Sequence, residues 1–316
     1  MLKGGSSLER QVSLRSGARV EDALASLGHE VVPIDADAEL VRSLKDERPD
    51  VAFIALHGPG GEDGTPQELL EILGIPYTGS GVLACIRSID KVLTKHLLLE
   101  ARIPTPEFFA FSETAFRQLG AADTLPAIEE RLDFPIVVKP ASGGSALGIK
   151  FAGKAEDVPG CLVSAFAYDQ KVLLERHVRG RDLAVSVVEG RDGPHALPVV
   201  EAVPRDEDFY DFEARYEIGR TDFVCPAALS EEHTARARAL AVGVYRLFGF
   251  YGFGRVDLML DDQSGELYVL EANAIPGLTE TSLLPQAAEA AGIDFDSLVG
   301  RILDLAFERG KPAATV

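Results

Sequence analysis

The stretch that decides the fold reads Gly252-Phe-Gly-Arg-Val-Asp-Leu-Met-Leu260, then Asp261-Asp-Gln-Ser-Gly265, then Glu266-Leu-Tyr-Val-Leu-Glu-Ala-Asn-Ala-Ile-Pro-Gly277. Two runs with β-branched and aromatic residues flank a turn-rich loop, which predicts a β-hairpin. Because side chains alternate between the two faces of a strand, Arg255 and Asp257 share one face of the first strand. By the same rule, Glu271 and Asn273 share one face of the second strand.

This charged face has two interpretations. If the strands pair in register, two carboxylates and an amide oxygen converge beside the Arg255 guanidinium. Oxygen donors of this kind suit Mg²⁺, which prefers carboxylates together with nucleotide phosphates. Alternation alone fits equally well a hairpin whose charges meet solvent while Val256, Leu258 and Leu260 lie inside. Residues elsewhere in the chain must decide between the two.

Composition narrows the class of protein. A chain of 316 residues is long for one core and predicts two or three subdomains. The balance of 31 basic against 50 acidic residues gives a net charge of −19, which argues against nucleic acid or an anionic membrane as a partner. No run approaches the ~18 apolar residues of a spanning helix, and no signal peptide is recognised. The isolated cysteines predict no disulfide framework and indicate a reducing cytoplasm.

The N-terminal part alternates strands and helices. Residues 31–34 and 51–56 are predicted to be buried strands with a helix over 36–47 between them, which is the rhythm of a parallel sheet. His57 opens a glycine-rich loop, 57–64, after the second strand, where ligands of open α/β sheets gather. A structural histidine is the alternative interpretation.

The start of the chain is unusual. Only Met1, Leu2 and Lys3 precede Gly4 and Gly5, although such a glycine pair usually follows a buried strand. We therefore expect the first strand to be nearly absent, its neighbours to be poorly paired, and the sequence to begin at an internal or shortened position. Glu9 lies before the first helix, where an acid that stabilises the helix dipole is an explanation without function.

A second region has the character of a phosphate-binding loop. Residues 134–140 are predicted to be a strand that ends near Lys139, and residues 141–148 form a small Gly/Ser-rich loop. The N–H groups of such a loop can surround phosphate oxygens. The lysine precedes the glycines, so this is not a Walker sequence, and a flexible hairpin loop is the alternative. Lys91 and Lys95 begin another predicted helix, and their spacing fits plain surface charges.

Taken in order, these stretches resemble the D-alanine–D-alanine ligases of the ATP-grasp superfamily. The matching segments are 4–13, 57–64, 76–81, 90–91, 138–148, 209–216, 225–226, 254–257 and 270–277. They run from end to end of the chain in the order of the family, which disfavours a merely solvent-facing hairpin. The resemblance implies an α/β ATP-grasp fold of three subdomains. These are an N-terminal parallel α/β domain, 1–81, and two α+β domains, 82–173 and 174–316, that clamp ATP.

The resemblance implies ATP-dependent ligation of two D-alanine molecules through an acyl phosphate, for peptidoglycan precursor synthesis. Asp257, Glu271 and Asn273 would hold two Mg²⁺ ions, with Mn²⁺ as an alternative metal, because phosphoryl transfer needs positioning and charge neutralisation. Lys91 and Lys139 would meet the nucleotide phosphates. The family further implies a cytoplasmic protein and a homodimer.

The resemblance assigns the other site residues by role. The further nucleotide contacts would be Ser142, Gly144, Glu175, Asp182, Phe209, Arg215 and Met259. The D-alanine carboxylates would meet His57 and Ser282, although Ser282 also fits a helix cap, and Phe209 and Met259 also fit core positions. The catalytic set would be Glu9, Ser145, Tyr216, Arg255 and Gly277. Within that set Arg255 and Gly277 would stabilise an oxyanion, and Tyr216, Ser145 and Glu9 would close a loop of about residues 205–222.

The sequence departs from the family pattern at four positions. Asp182 replaces a glutamate, Arg215 a lysine, Ala146 a serine and Glu68 a glycine. The stretch 209–216 looks like that of the dipeptide-forming enzymes rather than the D-lactate ligases. A D-alanyl-D-serine ligase and a non-catalytic nucleotide-binding homologue remain alternatives.

Overall fold

The computed structural model describes residues 1–144, 146–204 and 221–310. Four predicted site residues, Ser145, Phe209, Arg215 and Tyr216, lie outside these ranges, as does most of the predicted closing loop. Among the described residues, no helix combines the length and apolar character that a bilayer crossing requires.

The described residues form eleven α-helices and twelve β-strands. The helices are α1 (Arg10–Ser26), α2 (Leu40–Glu47), α3 (Thr65–Leu73), α4 (Val82–Ile89), α5 (Lys91–Glu100), α6 (Glu113–Gln118), α7 (Leu125–Glu129), α8 (Val158–Phe166), α9 (Glu231–Phe248), α10 (Leu283–Ala290) and α11 (Phe295–Arg309). The strands are β1 (Leu2–Lys3), β2 (Ile34–Asp35), β3 (Phe108–Ser112), β4 (Ile136–Pro140), β5 (Lys150–Ala152), β6 (Lys171–Arg176), β7 (Gly180–Gly190), β8 (Gly193–Ala196), β9 (Val200–Pro204), β10 (Thr221–Val224), β11 (Phe253–Asp261) and β12 (Leu267–Asn273).

The start of the chain corrects the prediction of poorly paired neighbours. Strand β1 is two residues long, but it pairs in parallel with β2 on one side. On the other side, the Leu2 amide donates to Phe53 O at 2.8 Å, and the Ala55 amide donates to Leu2 O at 3.0 Å. Leu2 is 1% exposed. The prediction failed because the three residues before the glycines suffice to fill the centre of this short parallel sheet.

The predicted N-terminal elements are present with shifted ends. Helix α2 begins at Leu40, four residues later than predicted, and β2 covers Ile34 and Asp35. The predicted strand 51–56 is an extended segment that pairs through single bridges, from Ile54 to Leu2 and from Ala52 to Tyr77. The carboxyl end of this segment delivers the loop that starts at His57, as the sequence predicts.

An ion pair fastens the first glycine loop to β2. Arg10 donates from Nη1 and Nη2 to the two carboxylate oxygens of Asp35 at 2.8 and 2.5 Å, and the Gly5 amide donates to the same carboxylate at 3.0 Å. The bonds from Arg10 are the main reason that the pKa of Asp35 is lowered to about 2. Both side chains are more than a third exposed, so solvent screens the pair.

We expect Asp35→Asn to lower the free energy of unfolding at neutral pH, with an effect that disappears in acid. A carboxyl whose pKa is lower in the folded state stabilises the fold above its unfolded pKa and loses that contribution as the pH falls. The difference between the wild type and the variant should therefore shrink as the pH falls from 3.8 toward about 2. Urea unfolding across this pH range checks it, with Asp50→Asn at an exposed position as control.

A four-stranded antiparallel sheet follows, in the order β3-β6-β4-β5. Its apolar face packs on α8 and on residues of α7. Strand β6 lies in the middle of this sheet, so the predicted domain boundary at residue 173 falls inside the strand.

The predicted hairpin lies at the edge of the third sheet, which has the order β10-β9-β7-β11-β12 with β8 beside β7. Strands β11 and β12 pair antiparallel, which confirms the hairpin. Val256, Leu258 and Leu260 pack into a core with Tyr245 and Phe248 of α9. The sequence also predicts helices over 231–248, 283–291 and 295–308 around this sheet, and α9, α10 and α11 agree with those spans to within one residue.

Candidate functional site

The hairpin brings its polar side chains together, as predicted. In the register, Asp257 lies opposite Glu271, and Arg255 lies opposite Asn273. Arg255 donates from Nε and Nη2 to the two oxygens of Asp257 at 2.7 and 2.8 Å, and Asn273 Nδ2 lies 3.3 Å from Asp257 Oδ2. A bulge follows Asp257, an irregularity that is frequent beside active sites. Asp257 is 4% exposed, so the interpretation of this face as solvent-facing is wrong.

The donor set is compatible with a hard cation that also binds a ligand. Two carboxylates and one amide oxygen are too few for an all-protein cage, but they match the share that proteins supply to Mg²⁺ bound to phosphates. Within residues 1–144, 146–204 and 221–310, no group of three or more His, Cys, Asp or Glu side chains could hold a metal unaided. The fit therefore depends on Asn273 and on ligand oxygens.

Lys91 connects the Gly/Ser-rich loop 141–148, here called the phosphate-type loop, with the hairpin. Its Nζ donates to Gly143 O at 2.5 Å and lies 3.7 Å from Glu271 Oε2. The side chain is buried at the start of α5, so the interpretation as a plain surface charge is wrong for Lys91. A small cleft here is lined by Glu62, Ser88, Ile89, Lys91, Gly143, Gly144, Glu271, Ala272, Asn273 and Ala274. We call the oxygens of Asp257, Glu271 and Asn273 the metal-type donors. One cleft therefore contains part of the phosphate-type loop, Lys91 and two of the metal-type donors, Glu271 and Asn273.

Two buried lysines share one carboxylate beside this cleft. Lys139 Nζ donates to Glu175 Oε1 at 2.8 Å, and Lys95 Nζ contacts Glu175 Oε2. Burial would raise the pKa of Glu175, but the two lysines outweigh burial and hold that pKa below its ordinary value. Lys95 is completely buried, so its interpretation as a surface charge is also wrong.

The phosphate-type loop is anchored near its start and approaches Glu9 further along. The amide and the hydroxyl of Ser142 donate to Asp169 Oδ2 at 2.7 and 2.6 Å. Gly144 lies against Glu9, because a Cβ at this glycine would come within 3.0 Å of Glu9 Oε1. Sequence reasoning missed Asp169, since nothing local marks an aspartate after a helix as an anchor for a loop 27 residues away.

Glu9 is buried between two loops rather than placed as a cap of α1. It occupies the position before α1 but makes no side-chain capping bond to that helix. A Cβ at Gly58 would lie 2.5 Å from Glu9 Oε2, and Gly58 has a φ of +73°. The glycine thus leaves room for the carboxylate, which faces both the loop after His57 and the phosphate-type loop.

His57 is held in one orientation by a chain of hydrogen bonds. The Leu278 amide donates to Ser16 Oγ at 3.2 Å, and Ser16 Oγ lies 3.1 Å from His57 Nε2. Because the Glu62 carboxylate can only accept, Nδ1 carries the proton of the neutral ring, and Nε2 then accepts from the Ser16 hydroxyl. The Nδ1–H of the ring then donates to Glu62 Oε1 at 3.1 Å. Sequence reasoning placed His57 in the site but missed Ser16 and Glu62, which fix its tautomer.

Ser282 lies beside Gly277, as the site requires. The Thr279 amide donates to Ser282 Oγ at 3.0 Å, and a Cβ at Gly277 would lie 2.7 Å from the same oxygen. Ser282 occupies the N-cap position of α10, but its side chain makes no capping bond to that helix. A role as helix cap alone therefore does not explain the position of the Ser282 side chain.

Two residues that are predicted to contact the nucleotide lie opposite each other on β7 and β11. Asp182 of β7 is the cross-strand partner of Met259 of β11, and both are half-buried. Met259 follows Asp257 by two residues and shares its face of β11. Its partial exposure is unlike that of the core residue Leu258 beside it.

Ser16→Ala should destabilise the fold by about 1–3 kcal/mol, because it leaves a buried amide and a buried imidazole nitrogen without their shared partner. Urea unfolding of the variant measures this. Ser26→Ala at the exposed end of α1 is the matched control and should stay within about 0.5 kcal/mol of the wild type. A loss as small as that of the control would show that the chain from Leu278 to His57 carries no stability.

Known proteins resemble this chain over almost its whole length. Residues 38–80 match the family described as D-ala D-ala ligase N-terminus, and residues 97–304 match D-ala D-ala ligase C-terminus. A "D-alanine--D-alanine ligase" of Moorella thermoacetica is 42% identical over 308 residues, 98% of each chain. The crystal structure of the Bacillus anthracis D-alanine–D-alanine ligase superposes with a TM-score of 0.81 at 32% identity, covering 98% of this chain and 96% of that one. Its complex with ATP superposes equally well, at 31% identity with the same coverage.

These likenesses, together with the three sheets, define the class of protein as an α/β enzyme with the ATP-grasp fold. Within that class, the identity over nearly the full chain is decisive. The chain belongs to the D-alanine–D-alanine ligase family.

Proposed function

We propose that this protein joins two D-alanine molecules to D-alanyl-D-alanine at the expense of ATP, for peptidoglycan precursor synthesis. The observation that carries the proposal is the hairpin, in which Asp257, Glu271 and Asn273 converge next to Lys91 and the phosphate-type loop. The likeness to named ligases over 98% of the chain supports it.

ATP would lie between the second and third sheets. Lys91 and Lys139 would neutralise phosphate charge, and the loop held by Asp169 would cover the phosphates. Glu175 would face the adenine amine, with Asp182 at the ribose and Met259 at the base. Asp257, Glu271 and Asn273 would hold two Mg²⁺ ions. When bound, these ions would neutralise the charge that develops on the transferred group.

The first D-alanine would lie between the N-terminal loops. The buried Glu9 carboxylate would pair with its ammonium group, and His57 would lie near its carboxylate, which faces the γ-phosphate. Attack of that carboxylate on the phosphorus gives an acyl phosphate and ADP. Because the Nδ1–H of His57 is already given to Glu62, the ring keeps one fixed orientation toward the substrate.

The second D-alanine would bind near Ser282, which would hold its carboxylate. Its amine attacks the acyl carbon, and phosphate leaves as the amide bond forms. The Arg255 guanidinium and the Gly277 amide would stabilise the oxyanion of the tetrahedral intermediate, an effect worth about 3–4 kcal/mol per donor. The three predicted subdomains, 1–81, 82–173 and 174–316, are proposed as the units that close on the substrates. Because residue 173 lies inside β6, we place the second boundary after Arg176, where that strand ends. A cytoplasmic homodimer is proposed from the family.

Release of inorganic phosphate from ATP tests the proposal. We expect release that depends on added D-alanine, together with a product whose mass is that of the dipeptide. Comparing D-alanine, D-serine and D-lactate as second substrate separates the proposed ligase from one that makes D-alanyl-D-serine. Well-folded protein that binds ATP but releases no phosphate with any of them would contradict the enzyme and support a non-catalytic homologue.

A further inference from the structure

Lys95 is a buried lysine whose role the proposed mechanism does not explain. It lies on α5 one turn after Lys91 and is 0% exposed. Its Nζ donates to Thr105 Oγ1 at 2.7 Å and to Pro106 O at 2.9 Å, and it contacts Glu175 Oε2. All three protons of the ammonium group therefore have a partner, which is the requirement for a charged group in the interior.

The charges around Lys95 are arranged asymmetrically. Glu175 carries one negative charge, and both Lys95 and Lys139 contact it. Burial lowers the pKa of Lys95 to about 8, while Glu175 opposes this shift and Lys139 reinforces it. The cluster thus has one more positive than negative charge when both lysines are protonated.

The two lysines differ in how firmly they are held. Within the described part of the chain, Lys139 donates one side-chain hydrogen bond, to Glu175, and this side chain lies near the end of β4, where the phosphate-type loop begins. Lys95 is tied to two segments at once, to the loop before β3 through Thr105 and Pro106 and to β6 through Glu175. Its partner Thr105 donates to Val269 O at 2.8 Å, and the Val269 amide donates to Pro104 O at 2.8 Å. Val269 precedes Glu271 by two residues on β12, so Lys95 couples the Glu175 carboxylate to the strand of the metal-type donors.

We propose that Lys95 is a positioning residue that serves as the permanent counter-ion of Glu175, so that Lys139 can leave this carboxylate for the phosphates when ATP binds. The inference rests on the proposed function. Without Lys95, the departure of Lys139 would leave the buried Glu175 carboxylate without a counter-ion, which is strongly unfavourable. The variant would therefore keep Lys139 on Glu175, and ATP would lose a phosphate contact.

Binding of ATP to Lys95→Met, measured by calorimetry in the presence of Mg²⁺, tests the inference. We expect the Kd for ATP to rise at least about tenfold, because the exchange of partners by Lys139 becomes costly. The Kd for adenosine, which has no phosphate, should change much less. The KM for D-alanine should stay within about twofold, since Lys95 touches no residue assigned to D-alanine. Lys154→Met at an exposed position is the matched control.

A merely structural role for Lys95 predicts a different pattern. Loss of local order would weaken the binding of ATP and the binding of adenosine to the same extent, and that result would overturn the inference. An unchanged Kd for ATP would overturn it as well. Lys95→Arg keeps the charge and should recover part of the affinity for ATP. If the proposed function were wrong, the wild type itself would bind ATP but would release no phosphate in response to D-alanine. That result is distinct from every outcome expected for the Lys95 variants.

The double variant K95M/E175Q keeps the inference testable if Lys95→Met does not fold. Removing the carboxylate along with its counter-ion abolishes the stranded charge, so the double variant should fold and bind ATP more tightly than Lys95→Met. A double-mutant cycle with Glu175→Gln measures this coupling. A double variant that is no better than the single one in folding or in ATP affinity would contradict the role of Lys95 as counter-ion.

Discussion

Glu271→Gln should lower the turnover number at least about 100-fold while the fold remains intact, because it removes one of the two carboxylates proposed to hold the metal ions that stabilise phosphoryl transfer. Glu271 lies opposite Asp257 in the hairpin and 3.7 Å from Lys91 Nζ, so it faces both the metal-type donors and the phosphate lysine. The amide is isosteric but neutral, and its oxygen is a much weaker ligand for Mg²⁺. Phosphate release at saturating D-alanine measures the loss.

The control for this variant is Glu289→Gln on the exposed side of α10, which should leave turnover unchanged. Circular dichroism and urea unfolding establish that both variants are folded. Turnover of Glu271→Gln within about threefold of the wild type would contradict the assignment of Glu271 as a metal ligand.

Arg255→Met should lower the turnover number about 100- to 1,000-fold, because it removes a preorganised donor for the oxyanion of the tetrahedral intermediate. The guanidinium is held by two bonds to Asp257, at 2.7 and 2.8 Å, so its position is fixed before substrate arrives. Arg255→Lys should recover little of this activity, since an ammonium group cannot reproduce the two-pronged geometry.

The loss in Arg255→Met should fall on the chemical step. We expect the Kd for ATP to change by less than about threefold, since the donor acts after the nucleotide has bound. Arg191→Met, at an exposed turn between β7 and β8, is the control. An increase in KM with an unchanged turnover number would show that Arg255 binds substrate and has no particular effect on the transition state.

The hairpin could be predicted because its information is local. Period-two alternation puts Arg255 with Asp257 and Glu271 with Asn273, and the loop between the strands limits the possible registers. The register in the structure confirms that these four side chains converge. Helices α9 and α11 could be predicted equally well, since their apolar spacing is local and the capping residues Ser230 and Asp294 directly precede them.

Residues that act through distant partners could not be predicted. Lys95 and Asp169 find their partners 80 and 27 residues away, and no local pattern distinguishes them from surface charges. Ser16 likewise meets Leu278 across 262 residues. The pairing of the first strand was misjudged for a similar reason, although its short length was predicted. Strand length was inferred from the residues before Gly4, whereas pairing of Leu2 on both sides decides whether the sheet is complete.

The most direct test of the account is a crystal structure of the protein with ADP, Mn²⁺ and a phosphinate mimic of the acyl phosphate. The anomalous signal of manganese locates the metal without reference to the protein chain. We predict manganese peaks within about 2.5 Å of oxygens of Asp257, Glu271 and Asn273, bridged to the phosphates of ADP. Manganese bound elsewhere, with this hairpin more than about 10 Å from every peak, would contradict the claim that β11 and β12 build the metal–nucleotide site.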